Sequence, residues 1–204
     1  RLRHPNIVPV FDTGLLDGQP FYSMAFVAGR TLAEVGQHGP LAPTRAARYL
    51  ARIAEAVQYA HGEGVLHRDL KPSNVLIDAS DEPHITDFGL AKALDAAPQT
   101  LTGGVLGSPA YMPPEQALGR VAEVTARSDV YSLGAILYEL LTGRPPFQGT
   151  NLAAVIAQVK DVDTVAPRRL NAGIPADLET ICLKCLEKES TCRYASAGEL
   201  AADL

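Results

Sequence analysis

Tryptophan is absent from the 204 residues, methionine occurs twice and cysteine three times. An odd, small number of cysteines gives no disulfide framework, so a reducing compartment is the expected setting. Long apolar runs are missing too. The nearest approach, SLGAILYELLTG, is shorter than the roughly 20 residues that span a bilayer and contains Glu139. Positive charge is not in excess: 18 Lys and Arg stand against 23 Asp and Glu, a formal net charge of -5. That balance argues against the basic footprint that nucleic-acid binding needs. There is no internal repeat and no low-complexity tract. What is present is ordinary for a globular domain: 47% hydrophobic and 20% charged residues, in a chain long enough to bury a core. The chain opens with RLRHPNIVPVF, without Met or a signal peptide, and closes with SAGELAADL, which reads as a helix cut short. Both ends are expected to be edges of a longer chain.

Residues 7–11 (IVPVF) and 21–27 (FYSMAFV) are short, apolar and aromatic-rich around the turn-like LLDGQP. They predict a hairpin. From Pro43 to Ala60 the period changes: Leu50, Ile53, Val57 and Ala60 share one helical face, with Pro43 in the first turn and Gly62 and Gly64 at the end. VLI (75–77) and HIT (84–86) flank DASDEP as a second hairpin. Residues 89–114, rich in Gly, Pro and Thr, predict a long loop, which inside a compact domain is usually functional. Val130, Leu133, Ile136, Leu137, Leu140 and Leu141 then crowd a helix apolar nearly all round, hence deeply buried, stopped by Gly143 and Pro145. Leu152–Val159, Leu178–Leu186 and Ala197 onward predict three more helices. The expected fold class is α+β: a mostly helical domain with two small β-hairpins.

Within HRDLKPSNVLI (67–77), an Arg, an Asp, a Lys and an Asn fall in seven consecutive positions, and ITDFG follows at 85–89. HRDLKPSN matches the pattern H-R-D-L-x-x-x-N position for position, and DFG comes at the matching distance. The order continues through a long loop, YMPPEQA (111–117), SDVYSLG (128–134) and Arg193. The chain therefore resembles the catalytic domain of a protein kinase, across essentially all 204 residues. Five ordered motifs carry the resemblance, where a single short pattern would be weak.

The resemblance implies a kinase-like fold: residues 1–27 as the remnant of an N-terminal lobe (two strands and the start of a hinge), and 28–204 as the helical C-terminal lobe with catalytic loop and activation segment. It implies transfer of the γ-phosphoryl of ATP, with Mg²⁺, to a protein hydroxyl. Phosphoryl transfer needs little covalent help, so the protein mainly positions groups and neutralises charge. Asp69 would orient the substrate hydroxyl and accept its proton, and Lys71 would contact the migrating phosphoryl. Asn74 and Asp87 would supply the oxygen ligands that Mg²⁺ prefers. A Lys two residues after the catalytic Asp goes with serine/threonine specificity in this family. Ser108 stands where such kinases usually have Thr and keeps the hydroxyl that bridges Asp69 and Lys71. Pro113 replaces the Ala of A-P-E. Arg68 would pair with a phosphate on the long loop. Thr100 and Thr102 are either autophosphorylation sites or plain loop hydroxyls. Met24 is placed at the back of the adenine site, with Ala25 to Val27 as the hinge whose Ala25 and Val27 backbone bonds adenine, and Leu76 against the adenine face; plain strand core explains Met24 and Leu76 almost as well. Glu115 and Arg193 are expected to form a buried ion pair and Asp129 to brace the catalytic loop, structural roles on any reading. PEQA suggests a bacterial origin. The setting is expected to be cytoplasmic, with a parent protein that can be membrane-tethered.

Other short patterns carry no chemistry. GEGVLH (62–67) lies between a helix and the catalytic loop, and TGGVLGS (102–108) has no Lys, so neither is a phosphate loop. Cys182 and Cys185 form a CxxC on a helical pattern without a second pair or a nearby His. His4 and His61 stand where kinases carry structural histidines, and Ser190 stands where the family commonly has Pro. Missing from the kinase pattern are the Gly-rich loop, the Lys of the V-A-I-K type and its partner Glu. Two expectations follow: a serine/threonine kinase whose ATP-clamping half lies outside this chain, the fragment itself being inactive, or a non-catalytic kinase-like scaffold that binds partners.

Overall fold

The computed structural model describes residues 2–16, 19–88 and 109–204. Two strands, β1 (Val10–Leu16) and β2 (Gln19–Met24), pair antiparallel, with Val10 opposite Met24 and an irregularity between Val10 and Asp12. A second sheet takes β3 (Gly29–Thr31), β4 (Val75–Asp78) and β5 (Pro83–Ile85) in the order β3-β4-β5, all antiparallel. Among the described residues the α-helices are α1 (Leu32–Gly36), α2 (Pro43–Gly62), α3 (Pro114–Ala117), α4 (Ala126–Thr142), α5 (Leu152–Asp161), α6 (Pro167–Leu170), α7 (Ala176–Cys185) and α8 (Ala197–Asp203).

The centre is α4. Every residue from Ser128 to Tyr138 is buried, as its all-round apolar pattern requires. Thr125 and Ser128 cap its start reciprocally, and Gly143, at φ 76°, ends it; glycine adopts this left-handed conformation without a Cβ clash. Helices α2 and α7 pack against α4, and α8 packs on α2. The α4–α7 crossing is close because Gly134 has no side chain: a Cβ there would lie 2.4 Å from Cys185 Cβ.

The segment HPNIV is pinned to β5. Ile85 N–H donates to Asn6 O (2.8 Å), Val8 N–H donates to Ile85 O (2.9 Å), and the Asn6 amide donates to Pro83 O (2.8 Å). At the β4–β5 turn, Asp81 accepts from Arg45, Arg48 and Tyr49 of α2. The Arg45 guanidinium, aided by Tyr49 and Arg48 against the opposing effect of burial, holds its carboxyl down at about 2.

Several boundaries differ from the sequence expectation. Ile7 and Val8 are buried, but Ile7 forms only an isolated parallel bridge to Ile85, and the strand expected at 7–11 runs instead from Val10 to Leu16. Pro9 explains the shift, because a proline cannot donate to a ladder and strands avoid it in their interior. Leu15, Leu16, Gln19 and Pro20, expected in a turn, extend the two strands. The strand expected at 21–27 ends at Met24. Strand β3 and helix α1 were not expected. A Thr31–Glu34 capping box starts α1, Glu34 N–H donating to Thr31 Oγ1 (3.2 Å) and Thr31 N–H to Glu34 (2.7 Å). The second hairpin thereby becomes a three-stranded sheet. Pro114, placed in the loop by sequence, opens α3, where its fixed φ suits a first turn.

Candidate active site

The catalytic-loop residues lie between α2 and β4, on one 3₁₀ turn (Pro72–Asn74) and the extended chain before it. Lys71 Nζ donates to Asp69 Oδ2 (2.7 Å). The Asn74 amide nitrogen donates to Asp69 O (2.9 Å) and to Asp69 Oδ2 (3.2 Å). Two consequences follow from this geometry. Asp69 Oδ2 is occupied by two donors, which leaves Oδ1 to accept a proton. Asn74 uses its nitrogen inward, which leaves its amide oxygen as a hard donor for a cation. The Asp69 side chain remains 41% exposed, so an incoming hydroxyl can reach it.

Asp87 follows β5 by two residues, at φ 63°. Its backbone is tied to Asn74 through the preceding residue: Thr86 N–H donates to Asn74 O (2.9 Å), and the single Thr86 hydroxyl proton is shared between that oxygen (3.2 Å) and Asp87 Oδ2 (3.3 Å). The Asp87 carboxylate accepts from Tyr22 Oη (2.7 Å, on Oδ1) and from Thr86 Oγ1 (3.3 Å, on Oδ2). His67 links the two halves. It is fully buried, its Nε2 donates to Thr86 O (2.9 Å), and its Nδ1 accepts from Asp69 N–H (3.3 Å). One donating and one accepting nitrogen describe a neutral ring. Burial favours that form, pushing the His67 pKa down against the pull of Asp129, the Thr86 carbonyl, Asp69 and Asp87.

Asp129 braces the loop from the buried helix α4. Its Oδ2 accepts from His67 N–H (2.9 Å) and His61 Nε2 (2.7 Å), and its Oδ1 accepts from Arg68 N–H (2.9 Å). Burial works to raise the Asp129 pKa, yet the hydrogen bonds from His61 and from the His67 and Arg68 backbone N–H groups together hold it low. Arg68 sits at φ 69°. A non-glycine residue there needs local support, and its carbonyl also accepts from Gln116 Nε2 (3.0 Å).

Glu115 and Arg193 form a bidentate, buried pair: Nη1–Oε1 is 2.9 Å and Nη2–Oε2 is 3.0 Å. Ser128 Oγ adds 2.6 Å to Oε1, and Arg193 also donates to Glu187 O, Lys188 O and Arg127 O. Burial alone would raise the Glu115 pKa; the Arg193 and Ser128 hydrogen bonds outweigh it and hold the group below its ordinary value.

After β2, Ala25 N–H is taken by Pro9 O (3.0 Å), which leaves the Ala25 carbonyl free of that bond, and Val27 is half-buried. Met24 is 39% exposed, while Leu76 is half-buried in β4. Thr100, Thr102 and Ser108 lie outside the described residues. Cys182 and Cys185 are both buried; the Cys182 thiol donates to Gly134 O (3.7 Å), and burial pushes the pKa values of both thiols up. Tyr22, His67, Thr86 and Gln116 were not singled out from sequence. His67 and Gln116 stand inside matched motifs, HRD and PEQA, but Tyr22 and Thr86 carry no signal of their own.

An acid, a Lys and an Asn converge at hydrogen-bond distance, with a second acid alongside whose neighbour Thr86 is bonded to a neutral histidine. Residues 1–203 match the family model described as the protein kinase domain, and the chain belongs to the protein kinase family. It is similar to the serine/threonine-protein kinase PknB of Mycobacterium leprae, 42% identical over 209 residues, covering 100% of this chain and 33% of that protein. PknB of Mycobacterium tuberculosis (strain ATCC 25618 / H37Rv) is 41% identical over 210 residues, covering 100% and 33%. Serine/threonine-protein kinase PrkC of Bacillus subtilis (strain 168) is 41% identical over 204 residues, covering 100% and 31%. The chain thus spans about a third of the length of these relatives.

Proposed function

We propose that this chain is the catalytic lobe of a bacterial serine/threonine protein kinase, acting on ATP and a protein hydroxyl. In this reading residues 1–27 belong to an N-terminal lobe and residues 28–204 form the helical lobe. On the same reading a Gly-rich loop and an ATP-clamping Lys of the V-A-I-K type, neither of which is in this chain, would complete the ATP site. The observation that carries the reading is the convergence of Asp69, Lys71 and Asn74, with Asp87 tied to Asn74 through Thr86. Asp69 Oδ1 accepts the proton of the substrate hydroxyl as its oxygen bonds to the γ-phosphorus and the bond to the β-phosphate oxygen breaks, releasing ADP. Lys71 neutralises charge on the moving phosphoryl, and its hydrogen bond keeps Asp69 oriented. The Asn74 amide oxygen and the Asp87 carboxylate fit Mg²⁺, a hard cation that is held by one or two such ligands plus substrate phosphates and water. When bound, the ion offsets negative charge on the phosphates. Ala25 O and Val27 N–H would hold adenine, with Met24 and Leu76 beside it. Thr100 and Thr102 would be phosphorylated and paired with Arg68, and Ser108 would bridge Asp69 and Lys71. Among the described residues no helix is long and apolar enough to cross a membrane. We place the domain in the cytoplasm, where ATP is available.

The test is transfer of labelled γ-phosphate to Ser or Thr of a protein acceptor by the intact protein. Asp69→Asn should lower turnover by about 10²–10⁴-fold, the usual worth of a positioned base. The isolated 204 residues should transfer little or none. Undiminished transfer in Asp69→Asn would overturn the assignment, and capture of a partner protein without ATP binding would favour a scaffold.

A further inference from the structure

The phenol of Tyr22 reaches Asp87 from the other sheet. Sixty-five residues separate the two in sequence, and Tyr22 Oη lies 2.7 Å from Asp87 Oδ1. Among the described residues this is the one side-chain hydrogen bond joining the β1–β2 hairpin to the rest of the chain. Tyr22 is carried in register opposite Thr13, two residues before Met24 and therefore on the same face of β2. The contact does not depend on a buried pocket, since the Tyr22 residue is 40% exposed.

Asp87 needs such a contact. Its backbone is placed by Thr86, which is bonded to Asn74 O and His67, but its side chain begins at a left-handed φ of 63°. Thr86 Oγ1, at 3.3 Å, is a long hydrogen bond for a hydroxyl. The short contact that fixes the carboxylate plane is therefore the phenol. Carboxylates that bind metals are themselves hydrogen-bonded as a rule, and removing the outer partner commonly weakens metal binding.

We propose that Tyr22 is a positioning residue for the cation site: its hydroxyl orients the Asp87 carboxylate and thereby ties the β1–β2 hairpin to metal binding. This inference rests on the reading that Asp87 holds a divalent cation. Orientation fits better than blockade. A carboxylate has about four acceptor positions, and Tyr22 and Thr86 take one on each oxygen, so each oxygen keeps one for the ion. The donor is also neutral and does not compete electrostatically with a cation, as a lysine would.

The experiment is a Mn²⁺ titration of the intact protein, reading free ion by its electron paramagnetic resonance signal. It compares the wild type with Tyr22→Phe, Asp87→Asn and the double variant, with thermal melts to verify folding. Phe keeps the ring and removes only the donor. Tyr22→Phe should weaken Mn²⁺ binding by about 10-fold or more, and should have no further effect once Asp87 is already Asn. Unchanged or tighter binding in Tyr22→Phe, with binding lost in Asp87→Asn, would overturn the role of Tyr22 and leave the cation site standing. Full binding in Asp87→Asn would overturn the cation reading, and this inference with it.

Discussion

Asp129 shapes the catalytic loop through the loop's main chain without itself belonging to the loop. It accepts three hydrogen bonds from a buried position, two of them from consecutive backbone N–H groups at His67 and Arg68. Asp129→Ala would leave those donors without a partner, at about 1–3 kcal/mol for each that stays buried. The left-handed Arg68 would lose its support at the same time. We expect a stability loss on the order of 3 kcal/mol by urea denaturation, with kcat falling further than the affinity for Mn²⁺. At this scale much was legible from sequence. Asp69, Lys71, Asn74 and Asp87 are close in the chain, and a motif at fixed spacing names them together. Tyr22 was not legible, because its partner lies 65 residues away and a tyrosine in an aromatic-rich strand looks like packing. Thr86 was hidden for a similar reason: its importance lies in a main-chain link to Asn74 that no side-chain pattern encodes.

Among the elements, the α4–α7 crossing sets how the helical half is built. Gly134 lets Cys185 approach so closely that an added Cβ would sit 2.4 Å from its Cβ, with Cys185 backbone atoms 3.4 Å away. Gly134→Ala should therefore destabilise by about 1–3 kcal/mol, the cost of overpacking a filled core, measured as a lowered urea midpoint at unchanged slope. Cys185→Ala combined with it should recover little of the loss, since alanine keeps the Cβ against which the added methyl clashes. The long helices were readable because a single apolar period runs through each of them. Short elements such as β3 and α1 were not, because three- and five-residue segments hold too few positions to show a period. Their existence depends on pairing with β4 and on the Thr31–Glu34 cap.

For the molecule as a whole, the Glu115–Arg193 pair joins α3 to the chain before α8, 78 residues on. Removing one partner of a buried pair leaves an uncompensated charge, so Arg193→Met should cost about 3–5 kcal/mol, and Glu115→Gln with Arg193→Met together should cost less than that. Acid sensitivity follows from the same groups. Glu115 and Asp129 are held below their ordinary pKa values, and Asp81 is held at about 2 against an ordinary 3.8. A depressed carboxyl stabilises the fold above its unfolded pKa, and that contribution is lost as pH falls through the folded value. Stability should thus decline from about pH 5 downward, and the slope should be shallower in Asp81→Asn, as read from urea midpoints across that range.

Because Asp129 belongs to the most deeply enclosed helix, the two loop N–H groups it grips cannot be released without disturbing that helix or breaking their bonds to it. The amide protons at His67 and Arg68 should exchange with deuterium as slowly as those inside α4 itself, although they lie in a connecting segment, where exchange is ordinarily fast. Rapid labelling at those two positions, with α4 still protected, would mean that the loop opens without the core.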